Sequence, residues 1–219
     1  MRRPIRCALV LAVIFSCPVR AQEPPELQPA TPAPASPVTS FDATSRFEVG
    51  ASEWMIVGGP AWSAPILESA TGHHYALQTV SWGRILMEPR GPGILRGRFE
   101  WAIEGVPFYG QYSPQNTYGF GLTPLLWRWN FEPAGRLASY VELGGGALWT
   151  RDPVPIQTTT SNFTAHTGAG VRIFIRPSEA IVLGYRFHHI SNGNRLEANP
   201  GVNAHVLQFG WSHLRPRQQ

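Results

Sequence analysis

His189-Ile190-Ser191 places an imidazole two residues before a hydroxyl, within the stretch Tyr185 to Asn203, YRFHHISNGNRLEANPGVN. In an extended strand residues i and i+2 share a face. Ile181, Leu183, Tyr185, Phe187, His189 and Ser191 therefore project together, while Arg186 and His188 point the other way. Asn203 opens the next run and shares parity with Leu207, Phe209 and Trp211, which puts it outward beside His189. Serine ester hydrolysis uses such a set: a base for the hydroxyl, and a third group that accepts a hydrogen bond from the other imidazole nitrogen and so fixes its tautomer. His-x-Ser also arises by chance, and read alone these are polar groups at a strand end. The apolar stripe beneath them is the informative feature. In a soluble protein it would face a packed core, whereas in a barrel whose outside meets lipid it leaves base and nucleophile on the membrane rim.

The elements that must hold this set are strands. Past Arg46 the chain shows no convincing period of 3.6; it repeats runs of about ten residues rich in aromatic, β-branched and Gly residues, broken by Pro, Gly and Asn. The runs fall at 47–58, 74–87, 93–103, 118–129, 137–149, 163–175, 180–190 and 203–214. An even number of alternating strands is what an antiparallel transmembrane β-barrel requires, since lipid tolerates no open sheet edge. In the third run Leu95, Gly97, Phe99 and Trp101 alternate with Arg96, Arg98 and Glu100. In the sixth, Ala165, Thr167, Ala169, Val171 and Ile173 alternate with His166, Gly168, Gly170 and Arg172. An eight-stranded barrel has room inside only for side chains, so Arg96, Arg98, Arg172 and Arg186 are expected there, paired with Glu100 and Glu142 as a plug. Pro124 interrupts the fourth run and marks an edge, bulge or kink.

Connection lengths carry the same message. Segments 88–92, 130–136 and 176–179 are short while 59–73, 104–117, 150–162 and 191–202 are longer, an order expected of periplasmic turns alternating with external loops. A secreted β-sandwich or lipocalin-like calyx also has many short strands, but it puts its apolar face inside. Trp54, Trp82, Trp101, Trp127, Trp129, Trp149 and Trp211, all within the runs, suit interfacial girdles.

The N-terminus reads as an export signal. Arg2, Arg3 and Arg6 precede an apolar run from Cys7 to Cys17, and Val19-Arg20-Ala21 resembles a cleavage site, so residues 1–21 are expected to be removed. A lipidated Cys17 is the alternative, poorly served by the bulky Phe15. Every basic residue other than His is Arg, and four of the eighteen lie in that segment, leaving fourteen against fourteen carboxylates. The pI near 9.5 therefore gives no argument for nucleic acid. Both cysteines leave with the signal, so the exported chain has no disulfides. Residues 22–45 form a Pro-rich tether, 46–214 the barrel and 215–219 a tail. No mature segment approaches the ~18 apolar residues of a spanning helix.

The segment GYRFHHISNGNRLEANPGVN resembles the outer-membrane lipid A 3-O-deacylases, the PagL family, and the resemblance extends over about residues 46–213. It implies Ser191 as nucleophile and His189 as base, with Asn192 and Asn199 near the oxyanion-stabilising region. Asn203 stands where the family's pattern has Glu, so the resemblance implies that Asn203→Glu would raise turnover. Glu197, nearby in the loop, is the alternative third member. The resemblance further implies lipid A of lipopolysaccharide as substrate in the outer leaflet, with Arg151 and Arg195 in external loops available to its phosphates. It leaves open whether the protein forms a homodimer. The competing readings are a non-catalytic outer-membrane barrel and a secreted lipid-binding calyx.

No cofactor or metal is expected. His73-His74, His166, His188, His205 and His213 have no metal-ligand spacing, and Gly144-Gly145-Gly146 falls within a strand, where it permits curvature. His188 is expected inside the barrel. The C-terminal HLRPRQQ lacks the final aromatic usual in outer-membrane barrels, leaving Trp211 to take that role.

Overall fold

The computed structural model describes residues 43–217. The expected signal peptide, the tether up to residue 42, and residues 218–219 lie outside them. Eight antiparallel strands follow in chain order: β1 (Ser52–Ser63), β2 (His74–Ile85), β3 (Gly97–Ser113), β4 (Thr117–Phe131), β5 (Leu137–Thr150), β6 (Ser161–Arg176), β7 (Glu179–Ser191) and β8 (Val202–Arg215). Each pairs with its neighbours in sequence, and β8 returns to β1, closing the sheet into a barrel with no free edge.

The barrel is apolar outside and charged at its centre. Trp54, Ile56, Trp127, Leu143, Leu183 and Phe209 are exposed on the outer face, while Glu53, Glu100, Glu104, Arg128, Glu142, Arg172 and Arg186 are buried within. That distribution would be costly in water and is what lipid selects. It also excludes the calyx, whose apolar face is internal.

Inside, Arg128 reaches Glu100 at 3.0 Å, Glu142 at 3.1 Å and Ser81 Oγ at 3.0 Å. Arg172 makes a fork to Glu53 with both bonds at 2.6 Å, and Asn130 bridges Arg172 to Glu100. Arg186 holds Glu104 at 2.6 and 2.8 Å and Glu142 at 2.5 Å. Two apolar clusters close the ends. Tyr75, Tyr109, Leu148, Ile190 and Val206 pack with Val154 from the β5–β6 connection. At the other end Phe174, Ile85 and Leu214 pack with Ala43 and Phe47, the latter in a 3-10 turn, Thr44–Phe47, that precedes β1.

Several expectations change. The interior network includes Arg172, Arg186, Glu100 and Glu142 as expected, but Arg96 is exposed, between the 3-10 turn Gly93–Leu95 and β3, and Arg98 pairs with Glu132 at 2.7 Å, apart from the central cluster. Arg128, Glu53 and Glu104 take the central places. Nor do short and long connections alternate strictly. Strand β3 runs on through most of the region expected as a loop at 104–117, the turn to β4 taking only 114–116, whereas the β2–β3 connection occupies 86–96. Pro107 fits within β3 because the β3–β4 register shifts between Val106 and Tyr109, where a missing N–H is harmless. Pro124 likewise lies at the β4–β5 shift between Leu122 and Leu125. The first strand starts later and ends later than expected, continuing through Gly58-Gly59-Pro60.

Candidate functional site

Strands β7 and β8 pair so that His189 lies directly opposite Asn203, and Ile190 opposite Val202. On the other flank β6 places Ala165 opposite His189 and Phe163 opposite Ser191. His189 and Ser191 occupy the outward face, both half-buried, while Ile190 between them is buried in the interior. Ser191 is the last residue of β7, so the strand delivers the hydroxyl to the rim.

Asn203 is outward-facing yet buried, because the β1–β2 connection lies against it. Ala64 N–H donates to Asn203 C=O at 2.7 Å and Ala70 N–H to Gly201 C=O at 2.9 Å. The Asn203 amide nitrogen donates to Ile66 C=O at 2.8 Å. A carbonyl oxygen can only accept, so the NH2 end of the amide must face Ile66 and the oxygen must face His189. That oxygen lies 2.7 Å from His189 Nδ1. Nδ1 therefore carries the proton, leaving the lone pair of Nε2 on the side away from Asn203. The tautomer is the one a general base for Ser191 needs.

The β7–β8 connection is tied to itself. Asn192 is fully buried: its N–H donates to Asn199 Oδ1 at 3.0 Å, its side-chain nitrogen to Ala198 C=O at 2.9 Å, and its C=O accepts from Arg195 Nε at 2.8 Å. Asn199 in turn donates to Asn194 Oδ1. Arg195 also donates to Ser161 C=O and lies over the Phe163 ring, 5.1 Å from its centroid. Asn192, which follows Ser191, and Asn199, bonded to its N–H, thus hold the loop through the hydrogen bonds described.

Gly201 backs the imidazole. Its φ is +65°, and a Cβ there would come within 3.0 Å of His189 Cε1. Asn199-Pro200-Gly201 was expected as a turn, but the turn of this connection falls at Gly193-Asn194, and the closeness of Gly201 to the imidazole had no sequence signal. Ile66 C=O had no signal at all, because a backbone acceptor leaves no trace in residue type. Glu197 is exposed and, among the described residues, makes no hydrogen bond or ion pair with His189. Arg151, over the Tyr118 ring, and Arg195, bound to backbone carbonyls, are both on the rim at the Ser191 end. His188 is inside, its Nδ1 2.9 Å from Tyr75 OH.

Residues 80–212 match the model of a family described as lipid A 3-O-deacylase (PagL). The chain belongs to the PagL family. That match includes β7, the connection after it and β8 as far as residue 212, while Ile66 falls outside it. The crystal structure of the outer membrane enzyme PagL superposes with a TM-score of 0.51 at 13% identity, covering 76% of this chain and 99% of that one. Neisserial surface protein A (NspA) gives 0.50 at 14%, covering 75% and 96%. At such identities the likeness is one of fold. No curated protein matches the sequence. Membership of the PagL family together with the closed barrel makes this an outer-membrane protein.

Proposed function

We propose that the protein is a serine esterase that removes an ester-linked acyl chain from lipid A in the outer leaflet. The observation that carries the reading is the Asn203 amide, oriented by Ile66 C=O and 2.7 Å from His189 Nδ1. In the reaction Nε2 of His189 takes the proton of Ser191 as Oγ attacks the ester carbonyl. The tetrahedral intermediate collapses as the protonated imidazole returns the proton to the leaving sugar oxygen. Water then attacks the acyl-Ser191, again through His189, and frees the fatty acid.

The N–H of Asn192 is committed to Asn199, which leaves the N–H groups of Gly193 and Asn194, next along the chain, as donors for the oxyanion. Both residues have positive φ, +65° and +59°, and neither N–H has an acceptor among the described residues. Because Ser191 faces outward, substrate arrives laterally from the leaflet, its acyl chain lying along the outer surface near Phe187 and Tyr185. The family description supports lipid A as the substrate class. Asn203 fixes the tautomer but supplies no charge to the imidazolium, so it performs only the orienting part of the third role.

Mass spectra of lipid A from cells with and without the protein test this. Loss of one ester-linked hydroxyacyl group, dependent on Ser191, is expected. Because Asn203 supplies no charge, a non-catalytic barrel is the second reading, and an unchanged spectrum with the folded protein in the membrane would establish it.

A further inference from the structure

At the end of the barrel opposite Ser191, three adjacent strands carry a row of polar residues. Ser52 pairs with Arg84 across β1–β2 and with Arg215 across β1–β8. All three project outward, since Glu53, Ile85 and Leu214, one position along each strand, are buried inside. Arg217 extends the row beyond β8, its side chain packed where a Cβ on Gly50 would sit. Together they line an open cavity of about 770 Å³ on the outside of the barrel. The next outward row toward the membrane centre is Trp82, Trp54 and His213, in the same register. The arginines therefore lie just beyond an aromatic belt, at headgroup depth.

Among the described residues, none of these three guanidinium groups is ion-paired with a carboxylate, in contrast to Arg98, Arg128, Arg172, Arg176 and Arg186. Three like charges around one cavity repel each other unless an anion sits among them. We propose that this cavity binds the phosphate of an anionic phospholipid of the periplasmic leaflet. Guanidinium forks match phosphate oxygens in pairs, the Ser52 hydroxyl adds a donor, and Trp54 and Trp82 flank the path of the acyl chains. A zwitterionic headgroup brings its own cation and is disfavoured. The site is independent of catalysis at Ser191.

The full-length protein in detergent micelles, titrated with dioctanoyl-phosphatidylglycerol or dioctanoyl-phosphatidylethanolamine and read by native mass spectrometry, tests the proposal. One phosphatidylglycerol per barrel is expected, retained at lower concentration than phosphatidylethanolamine. Removing the charges in Arg84→Gln, Arg215→Gln and Arg217→Gln should weaken it by about fivefold each, the equivalent of about 1 kcal/mol, and on the order of a hundredfold together. Arg176→Gln, an exposed arginine at the same end, should change nothing. Heat modifiability on gels verifies the barrel, and the single variants carry the test if the triple variant does not fold. Equal retention of both lipids, undiminished binding by the folded variants, or displacement of the lipid by inorganic phosphate alone, which would indicate a free-anion site, overturns it.

Discussion

Asn203 faces His189 across the β7–β8 ladder, with its side-chain oxygen 2.7 Å from Nδ1 and its nitrogen 2.8 Å from Ile66 C=O. The β1–β2 connection thereby reaches the imidazole through a single side chain.

Replacing the nucleophile or base should abolish deacylation without unfolding the barrel, because both sit on the rim and outside the interior clusters. Ser191→Ala and His189→Ala are expected to leave lipid A intact in mass spectra while the protein remains heat-modifiable. Since triad members act as a unit, Ser191→Ala with Asn203→Ala should be no worse than Ser191→Ala. Normal deacylation by folded Ser191→Ala would refute the mechanism.

Asn203→Ala removes both amide contacts and should lower turnover about a hundredfold or more. For Asn203→Glu the resemblance implies a gain, whereas the Ile66 contact argues for the opposite outcome. A carboxylate would set oxygen against the Ile66 carbonyl where an N–H now donates, so initial rates should stay at or below those of the parent protein. A clear rise would show that the β1–β2 connection yields to the carboxylate.

At position 201 the expected effect is on catalysis with little on assembly. Gly201→Ala meets His189 Cε1 at 3.0 Å and takes a left-handed φ that costs about 1–2 kcal/mol in a non-Gly residue. Displacing the imidazole should lower kcat by roughly tenfold or more with KM little changed. Parent-like kcat would mean that the imidazole is not held by this contact.

Charge pairing inside the barrel should dominate stability. Arg186→Leu strands Glu104 and leaves Glu142 with Arg128 alone, removing bonds of 2.5–2.8 Å, and should cost about 3–5 kcal/mol in urea unfolding from micelles. Arg176→Leu breaks only an exposed pair with Glu179 and should stay within about 1 kcal/mol. Similar midpoints for the two would show that the interior network adds nothing.

Alternation made most of this architecture legible. Arg186 and His188 could be placed inside, and His189, Ser191 and Asn203 outside, by parity alone. Parity fails where a strand stops: Arg96 was carried inward by extending the pattern of Arg98 and Glu100 one step past Gly97, where β3 begins. Arg128 was hidden between Trp127 and Trp129, in a strand whose alternation Pro124 disturbs. The outer half of β3 was missed because Pro107 reads as a breaker unless the register shift beside it is known. The contact of Asn203 with Ile66 depends on how a loop folds back over β8, which no periodicity encodes.

The fork between Arg172 of β6 and Glu53 of β1 joins residues 119 positions apart. The two strands are not neighbours in the sheet, so that bond spans the lumen and needs β1 and β6 on facing walls of the ring. Without it, among the described residues, Arg172 reaches only the Glu100 carboxylate at 3.7 Å and Glu53 only the Arg128 guanidinium at 3.8 Å, and a poorly neutralised charge at membrane depth costs several kcal/mol. Stepwise entry of single strands into the bilayer is thereby penalised, and insertion and ring closure become one concerted event.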